Sequence, residues 1–209
     1  GRACLNRSAT RCATGLQRAS CNAQRAGNTA LQDRDLRAWQ KRVFIACWLT
    51  YAGYYLGRVN LSVALPVLQT EFHWSKTAAG SIGMALFWAY AVGQLINGYL
   101  GERLSARRLV ALGLITSAAL NLCFSATGWL GAFVVIWMLN GLAQATGWAP
   151  IMKTLSRWFD PARRARLIAF FTPCYVAGYA ASWALGGWLV ATLNWRAAFY
   201  VPALLMFGV

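Results

Sequence analysis

Hydrophobic residues of this chain are gathered into six long segments separated by short polar connections. The segments cover residues 43–69, 77–100, 109–126, 130–155, 167–193 and 197–209. A helix of about 20 apolar residues crosses the hydrocarbon core of a bilayer, so the first five segments predict membrane-spanning helices. The sixth stops inside its apolar run, which predicts a helix that is cut short. We therefore expect an all-α membrane protein with a six-helix domain over residues 43–209.

Residues 1–42 differ from this pattern because they show no sustained apolar period. They are rich in Arg, Ala, Ser and Asn, and no acidic residue precedes Asp33. This composition predicts a basic tail that is disordered or not native to the protein. An organelle transit peptide has a similar composition and stays open as an alternative.

The overall composition is typical of a membrane protein. Of the 209 residues, 58% are hydrophobic and 12% are charged, whereas soluble domains carry about 25% charged residues. The formal net charge of +15 would also suit nucleic-acid binding. However, the basic residues flank the apolar segments, where membrane orientation accounts for them. We expect a lipid bilayer around the chain and no nucleic-acid partner.

The basic residues also predict the orientation of the segments. They are concentrated in residues 1–42, in the connection after the second segment and in the connection after the fourth. Because Lys and Arg collect on the cytoplasmic side, we expect a cytoplasmic amino terminus. The predicted location is the cell membrane (plasma or inner), with an organelle membrane as the alternative.

The first segment contains one full charge, Arg58. This residue lies roughly 22 Å along a helix that starts at residue 43, near the middle of a bilayer. A cation at this depth costs about 2.5–3.5 kcal/mol on insertion scales, and arginine does not release its proton. No Asp or Glu lies at mid-span in any of the six segments. We expect a bound anion to supply the counter-charge, with an acid from a later helix as the alternative.

Four polar residues of the first segment recur at helical spacing around this charge. Tyr51, Tyr54, Arg58 and Ser62 share one face of a continuous helix, and Tyr55 lies at its edge. Such a face is expected to line an interior, because polar groups are costly against lipid. The guanidinium fork and the tyrosine hydroxyls fit a phosphate or a carboxylate, so this face predicts a site for a small anion.

Later segments carry further candidates for the same site. They are Tyr90 and Gln94 in the second segment, Gln144 in the fourth, and Tyr175 and Tyr179 in the fifth. Phenols and amides either bind a polar ligand or hydrogen-bond across helices, at about 0.6 kcal/mol for each bond. Together with Arg58, they favour a polar cavity between the helices.

The sequence offers no support for an enzyme or a metalloprotein. His73 is the only histidine, and the six cysteines include no Cys-x-x-Cys pair. No nucleophile–base pair or intramembrane acid is apparent. We expect no cofactor, no bound metal and no enzymatic activity.

The connection after the second segment contains Gly98, Glu102, Arg103, Arg107 and Arg108. This pattern resembles the signature of the major facilitator superfamily, with a Glu where an Asp is usual. The resemblance implies that this loop makes charge-assisted contacts at the cytoplasmic gate of a carrier.

Three stretches resemble, more narrowly, the organophosphate:phosphate antiporter family, which includes the glycerol-3-phosphate and hexose-phosphate transporters. They are YYLGRVN at 54–60, the polar and aromatic residues within 140–159, and NWRAAFYVP at 194–202. The resemblance covers residues 43–209. It implies the amino-terminal half of a twelve-helix fold, built from two inverted three-helix units, with the missing carboxy-terminal half as its partner.

The same resemblance implies that Arg58 contacts the phosphate of the substrate, and that an organophosphate is exchanged for phosphate by alternating access. Two positions depart from the glycerol-3-phosphate transporter, because Gln94 stands in place of a lysine and Tyr175 in place of a histidine. A less charged organic anion therefore stays open as the substrate. The alternatives are a non-transporting membrane sensor of sugar phosphate and a proton-coupled carrier of an organic acid.

Overall fold

A computed structural model describes residues 15–208 of the chain, with side chains from residue 34 onwards. The described residues form helices α1 (Gly15–Leu56), α2 (Asn60–Glu71), α3 (Lys76–Arg103), α4 (Ala106–Ala126), α5 (Leu130–Gln144), α6 (Trp148–Trp158), α7 (Arg164–Phe171), α8 (Pro173–Thr192) and α9 (Ala197–Phe207). A short 3₁₀ helix, Pro161–Arg163, precedes α7. The described residues divide between Val43 and Phe44 into two compact units.

Helix α1 extends into residues 1–42, the stretch predicted to be a disordered, transit-like or non-native tail. Residues 15–42 are helical and belong to α1, and residues 1–14 lie outside the described part. Ala, Leu, Gln and Arg are strong helix formers and recur through this stretch. The missing apolar period was therefore evidence against a buried face but not against a helix.

Four helical segments in the described part are long and apolar enough to cross a membrane. They are Lys76–Arg103, Ala106–Ala126, Leu130–Trp158 and Pro161–Thr192. These confirm the second to fifth predicted segments, and the shorter apolar helix α9 corresponds to the sixth. The first predicted span is not among the four, and it is divided at residues 57–59 into the end of α1 and the 12-residue α2.

The spans of the second unit pair in a symmetrical way. α2 packs on α8, α3 packs on α5, and α4 packs on α9. In terms of spans, the first pairs with the fifth, the second with the fourth, and the third with the sixth. If spans one to three are exchanged with spans four to six, in order, the same three pairs result. The packing therefore matches the two related three-span units that were predicted.

Aromatic side chains fill the interior at one end of the bundle. The ring centroid of Phe124 lies 4.5 Å from that of Phe133 and 4.3 Å from that of Phe199. Outer positions are also apolar, for example Leu95, which is 80% exposed, and Trp88, which is 70% exposed. Apolar residues on both the inside and the outside are expected of a bundle surrounded by lipid.

Candidate functional site

The first span is interrupted at residues 57–59, immediately around Arg58. In an unbroken helix, the backbone N–H of Leu61 would donate to the carbonyl of Gly57. Here Leu61 N donates to the side-chain Oδ1 of Asn60 instead, at 3.0 Å. The Gly57 carbonyl accepts from Asn121 Nδ2 at 3.1 Å and from Asn140 Nδ2 at 2.9 Å. Side-chain amides thus satisfy both ends of the broken backbone bond, as a low-dielectric interior requires.

The amides at this break belong to a larger buried network. Asn60 Nδ2 donates to Asn121 Oδ1 at 2.7 Å and to the Ala198 carbonyl at 3.1 Å. Ser117 Oγ donates to Asn140 Oδ1 at 2.6 Å, and Asn121 Nδ2 also donates to the Ser117 carbonyl at 2.8 Å. Every donor and acceptor of Asn60 and Asn121 is used. The network therefore joins the first, third, fourth and sixth spans.

Gln144 is part of this network, although the sequence predicted that it contacts a substrate. It is 1% exposed, and its Nε2 donates to Ser117 Oγ at 2.7 Å. Its Oε1 is buried without a hydrogen-bond partner in the described part. The side chain lies inside the packed bundle with one N–H engaged, and its contact with a substrate stays a prediction.

Arg58 itself is half-buried and lies against two aromatic rings. Its Cζ is 4.4 Å from the ring centroid of Tyr90 and 5.3 Å from that of Tyr55. Its Nε is buried and has no hydrogen-bond partner among the described residues. In the described bundle no carboxylate forms an ion pair with it. The guanidinium therefore retains free donors inside the protein.

The tyrosines predicted around Arg58 divide into two groups. Tyr51 and Tyr55 are buried, with ring centroids 5.7 Å apart, and Tyr55 lies 5.2 Å from Tyr179 of α8. Tyr179 and Tyr175 are each more than 40% exposed. Arg58 thus contacts the rings of Tyr55 and Tyr90, and Tyr55 in turn contacts Tyr179. Gln94, one turn after Tyr90 in α3, is half-buried.

Tyr54 departs from the predicted arrangement. It is 1% exposed, and its hydroxyl donates to the Val110 carbonyl at 2.8 Å and is hydrogen-bonded to Thr146 Oγ1 at 3.0 Å. Its hydroxyl therefore serves the packing of the third and fourth spans. The predicted face ends at residue 57 because the helix does not continue, and Ser62, beyond the break, is exposed.

The fourth span is also interrupted, at residues 145–147. The Thr146 carbonyl has no helical partner, because residue 150 is a proline without a backbone N–H. Thr146 Oγ1 lies 2.8 Å from the Ala143 carbonyl oxygen and 3.0 Å from the Tyr54 hydroxyl, and its single hydrogen is donated to one of them at a time. A Cβ at Gly147 would lie 3.3 Å from the Tyr54 ring, so the glycine permits this close packing.

The predicted cytoplasmic gate lies at the end of α3 and the start of α4. Gly98, Glu102, Arg103, Arg107 and Arg108 are all exposed. Arg103 Cζ lies 4.6 Å from the ring centroid of Tyr99. No ion pair joins these residues within the described part, so their gating contacts stay a prediction. One contact near this loop was not predicted. Lys153 Nζ of α6 donates to the Gly101 carbonyl of α3.

Sequence reasoning missed the role of the asparagines. Asn60 and Asn140 lie in the stretches that carry the family resemblance, but Asn121 and Ser117 drew no attention. The signal available in the sequence was a polar residue within an apolar span. All four side chains are 0% exposed in the structure. Groups of three or more potential metal ligands are absent from the described residues.

Comparison with known proteins adds to these observations. The sequence profile of the Major Facilitator Superfamily matches residues 47–209. The chain is 28% identical to a probable hexose phosphate transport protein of Chlamydia pneumoniae, over 81% of this chain and 37% of that protein. It is 32% identical to the glycerol-3-phosphate transporter of Bacillus subtilis, over 84% of this chain and 41% of that protein. It is 25% identical to the membrane sensor protein UhpC of Salmonella typhimurium, over 85% of this chain and 40% of that protein.

A solved structure agrees with the observed helical arrangement. It is that of a bacterial homolog of the human lysosomal transporter Spinster, in an inward-facing and unoccupied conformation. The TM-score is 0.65 at 17% identity, over 81% of this chain and 42% of that one, so the likeness concerns the fold alone. The chain spans 37 to 41% of the lengths of the three curated relatives. The predicted resemblance to organophosphate transporters is confirmed by these relatives.

Proposed function

The chain belongs to the Major Facilitator Superfamily, and from that premise we propose that it forms half of a membrane transporter for a sugar phosphate or a related organophosphate. The transporter exchanges its substrate for inorganic phosphate by alternating access. The observation that carries the proposal is the guanidinium of Arg58, which lies within the bundle with a buried Nε that has no partner among the described residues.

The free energy of this cation explains why it would bind an anion. Placing an arginine at mid-membrane costs about 2.5–3.5 kcal/mol. A cation–π contact with one aromatic ring stabilises a guanidinium by about 0.5–2 kcal/mol. Arg58 makes such contacts with two rings, those of Tyr55 and Tyr90. The rings therefore offset part of the cost without neutralising the charge. A phosphate oxygen that accepts from the guanidinium fork would complete the compensation.

Two backbone amides at the start of α2 are already engaged and are not available to an anion. Leu61 N donates to Asn60 Oδ1, and Ser62 N donates to the Val59 carbonyl at 3.0 Å. These donors are engaged within the helix start. Recognition of the anion in this half therefore depends on the side chain of Arg58, with the tyrosine hydroxyls as additional donors.

Exchange follows from the same electrostatics. In the superfamily, substrate sites lie at mid-membrane between repeats that rock against one another. With an anion bound, Arg58 is neutralised and the two halves can close around it. Without an anion, closure would bury a bare cation, which is costly. Each reorientation then requires a bound anion, and that requirement makes the transporter an exchanger.

The test is Arg58→Lys in the full-length transporter, reconstituted into phosphate-loaded vesicles. Lysine keeps the charge but cannot donate two parallel hydrogen bonds, so we expect the half-saturating ester concentration to rise about tenfold or more. Arg196→Lys is the matched control, because Arg196 is exposed and its Cζ also lies over a ring, 4.8 Å from the centroid of Trp195. Unchanged exchange in the Arg58 variant would remove this residue from the mechanism.

A sensor of sugar phosphate is the second candidate, and the similarity to the sensor protein UhpC favours it. A sensor would use the same cation to bind its ligand but would not exchange it. Vesicle uptake of a labelled phosphate ester separates the two functions. Ester binding that depends on Arg58, in the absence of any uptake, would support the sensor and exclude the exchanger.

A further inference from the structure

We infer that Asn121 and Asn140 are positioning residues for Arg58. By holding the Gly57 carbonyl outside the helical hydrogen-bond ladder, they fix the direction in which the guanidinium leaves the first span. This inference rests on the proposed function, since it concerns how the anion-binding arginine is aimed.

The contacts place both amides directly on the peptide unit that precedes Arg58. Asn121 Nδ2 and Asn140 Nδ2 lie 3.1 Å and 2.9 Å from the Gly57 oxygen. Both asparagines are 0% exposed, so water cannot replace them. A carbonyl that accepts from two amides is held at a fixed orientation. The rotation of the next residue is thereby restricted.

The amide of Asn140 is itself oriented by its neighbours. Ser117 Oγ accepts from Gln144 Nε2 at 2.7 Å, so its own hydrogen is directed at Asn140 Oδ1 at 2.6 Å. The oxygen of Asn140 is therefore the end that faces Ser117, and its nitrogen faces Gly57. The relay from Gln144 through Ser117 gives these two buried polar residues a role that interhelical packing alone does not require.

The break changes where residue 58 points. In a continuous helix, residue 58 would follow Tyr54 by one turn on the same face. That face is directed into the bundle, because the Tyr54 hydroxyl contacts Val110 and Thr146. The guanidinium of Arg58 instead lies over Tyr90 of α3 and Tyr55. The break therefore directs the guanidinium away from the Tyr54 side of the helix and onto the rings of Tyr55 and Tyr90.

A network of this kind could serve only to hold the helices together, and the experiment must separate that role from positioning. The first measurement does not depend on transport. In a full-length protein whose own cysteines are replaced by serine, the Arg58→Cys variant is labelled with a small, water-soluble methanethiosulfonate. The labelling rate is then compared with and without Asn140→Leu.

We expect Asn140→Leu to reduce the labelling rate about fivefold or more, because a closed helix buries the thiol beside Tyr54 and keeps it from forming a thiolate. Ser117→Ala, which keeps both asparagines, should act in the same direction with a smaller effect and covers the case in which Asn140→Leu does not fold. Ser125→Ala is the control, since Ser125 Oγ donates only to the nearby Leu122 carbonyl, at 2.7 Å. Equal labelling in all variants would overturn the inference.

The second measurement is a double-mutant cycle on ester exchange. If Asn140 acts through Arg58, Asn140→Leu should raise the half-saturating ester concentration about tenfold with Arg58 present, and by less than about twofold in Arg58→Lys. The same factor in both backgrounds would show a merely structural role and overturn the inference while the proposed function stands. If Arg58→Lys alone changes nothing, the proposed function fails, and the labelling rates decide the inference on their own.

Discussion

The first and fourth spans occupy equivalent places in the two three-span units, and both are broken near their middle, but for different reasons. The fourth span breaks at residues 145–147, just before Pro150. The first span breaks at residues 57–59 with no proline within one turn after the break. The two breaks can be compared through the backbone hydrogen bond that each one lacks.

The break in the fourth span has a local cause. Pro150 removes the N–H that would reach the Thr146 carbonyl. Pro150 then lies in the first turn of α6, where the missing N–H has no helical partner to lose. Tyr54 packs onto this break but is not needed to create it.

The break in the first span has a tertiary cause. Leu61, unlike proline, has a backbone N–H that could complete the helix, and the Gly57 carbonyl could accept it. The bond is displaced because Asn60 occupies the donor and two remote asparagines occupy the acceptor. A break of this kind can be altered by changes elsewhere in the bundle, and it lies next to the guanidinium of Arg58. We infer from the comparison that the fourth-span break shapes the fold and the first-span break shapes the site.

The largest expected effect comes from crowding the fourth-span break with Gly113→Ala. The added Cβ would overlap Thr146 Oγ1 and lie 2.8 Å from the Tyr54 hydroxyl oxygen and the Ala143 carbonyl oxygen. We expect the free energy of unfolding to fall by about 3 kcal/mol, the upper end for overpacking. In a domain of this size, that lowers the melting temperature in detergent by about 6–12 °C.

Gly187→Ala is the matched control, because nothing lies within 4 Å of a Cβ at Gly187. Its melting temperature should stay equal to or above that of the native protein, since alanine favours the helix. If Gly113→Ala had the same melting temperature as the native protein, the close packing at the fourth-span break would not be required for stability.

The next effect comes from removing an amide at the first-span break with Asn121→Ala. This change leaves the Gly57 carbonyl with one partner and leaves Asn60 Nδ2 with one acceptor fewer. Buried polar groups that lose a partner cost about 1–3 kcal/mol. We expect a melting temperature between those of Gly113→Ala and the native protein, together with weaker ester exchange. Loss of stability with unchanged exchange would mean that the break does not affect the site.

The smallest effect is expected for Tyr54→Phe, which removes only the hydroxyl. The bonds to Val110 and Thr146 are lost, at a cost of about 0.5–1.5 kcal/mol. Because that hydroxyl is engaged within the bundle, the half-saturating ester concentration should not change. A marked rise in that concentration would restore Tyr54 to the substrate site and would contradict the separation of the two breaks.

Several features of the fold could be predicted from the sequence because they depend on length and hydropathy. The second to fifth spans follow from long apolar runs, and a cation at mid-span is visible as Arg58 in such a run. The burial of Tyr54 and Gln144 within the hydrogen-bonded interior could not be predicted from the sequence. Helical spacing put Tyr54 on the face of Arg58, and only the break shows that this face does not continue.

The sequence by itself determined the membrane class and the family, because apolar length and short motifs involve only neighbouring residues. Pro150 is a local cause of the fourth-span break, although the hydropathy of residues 130–155 predicted one uninterrupted span. The tertiary structure alone decided the first-span break and the direction of Arg58. The amides that hold Gly57 lie 64 and 83 residues away in the chain. No local pattern specifies which buried asparagine will meet which carbonyl, since that depends on how the third and fourth spans pack against the first.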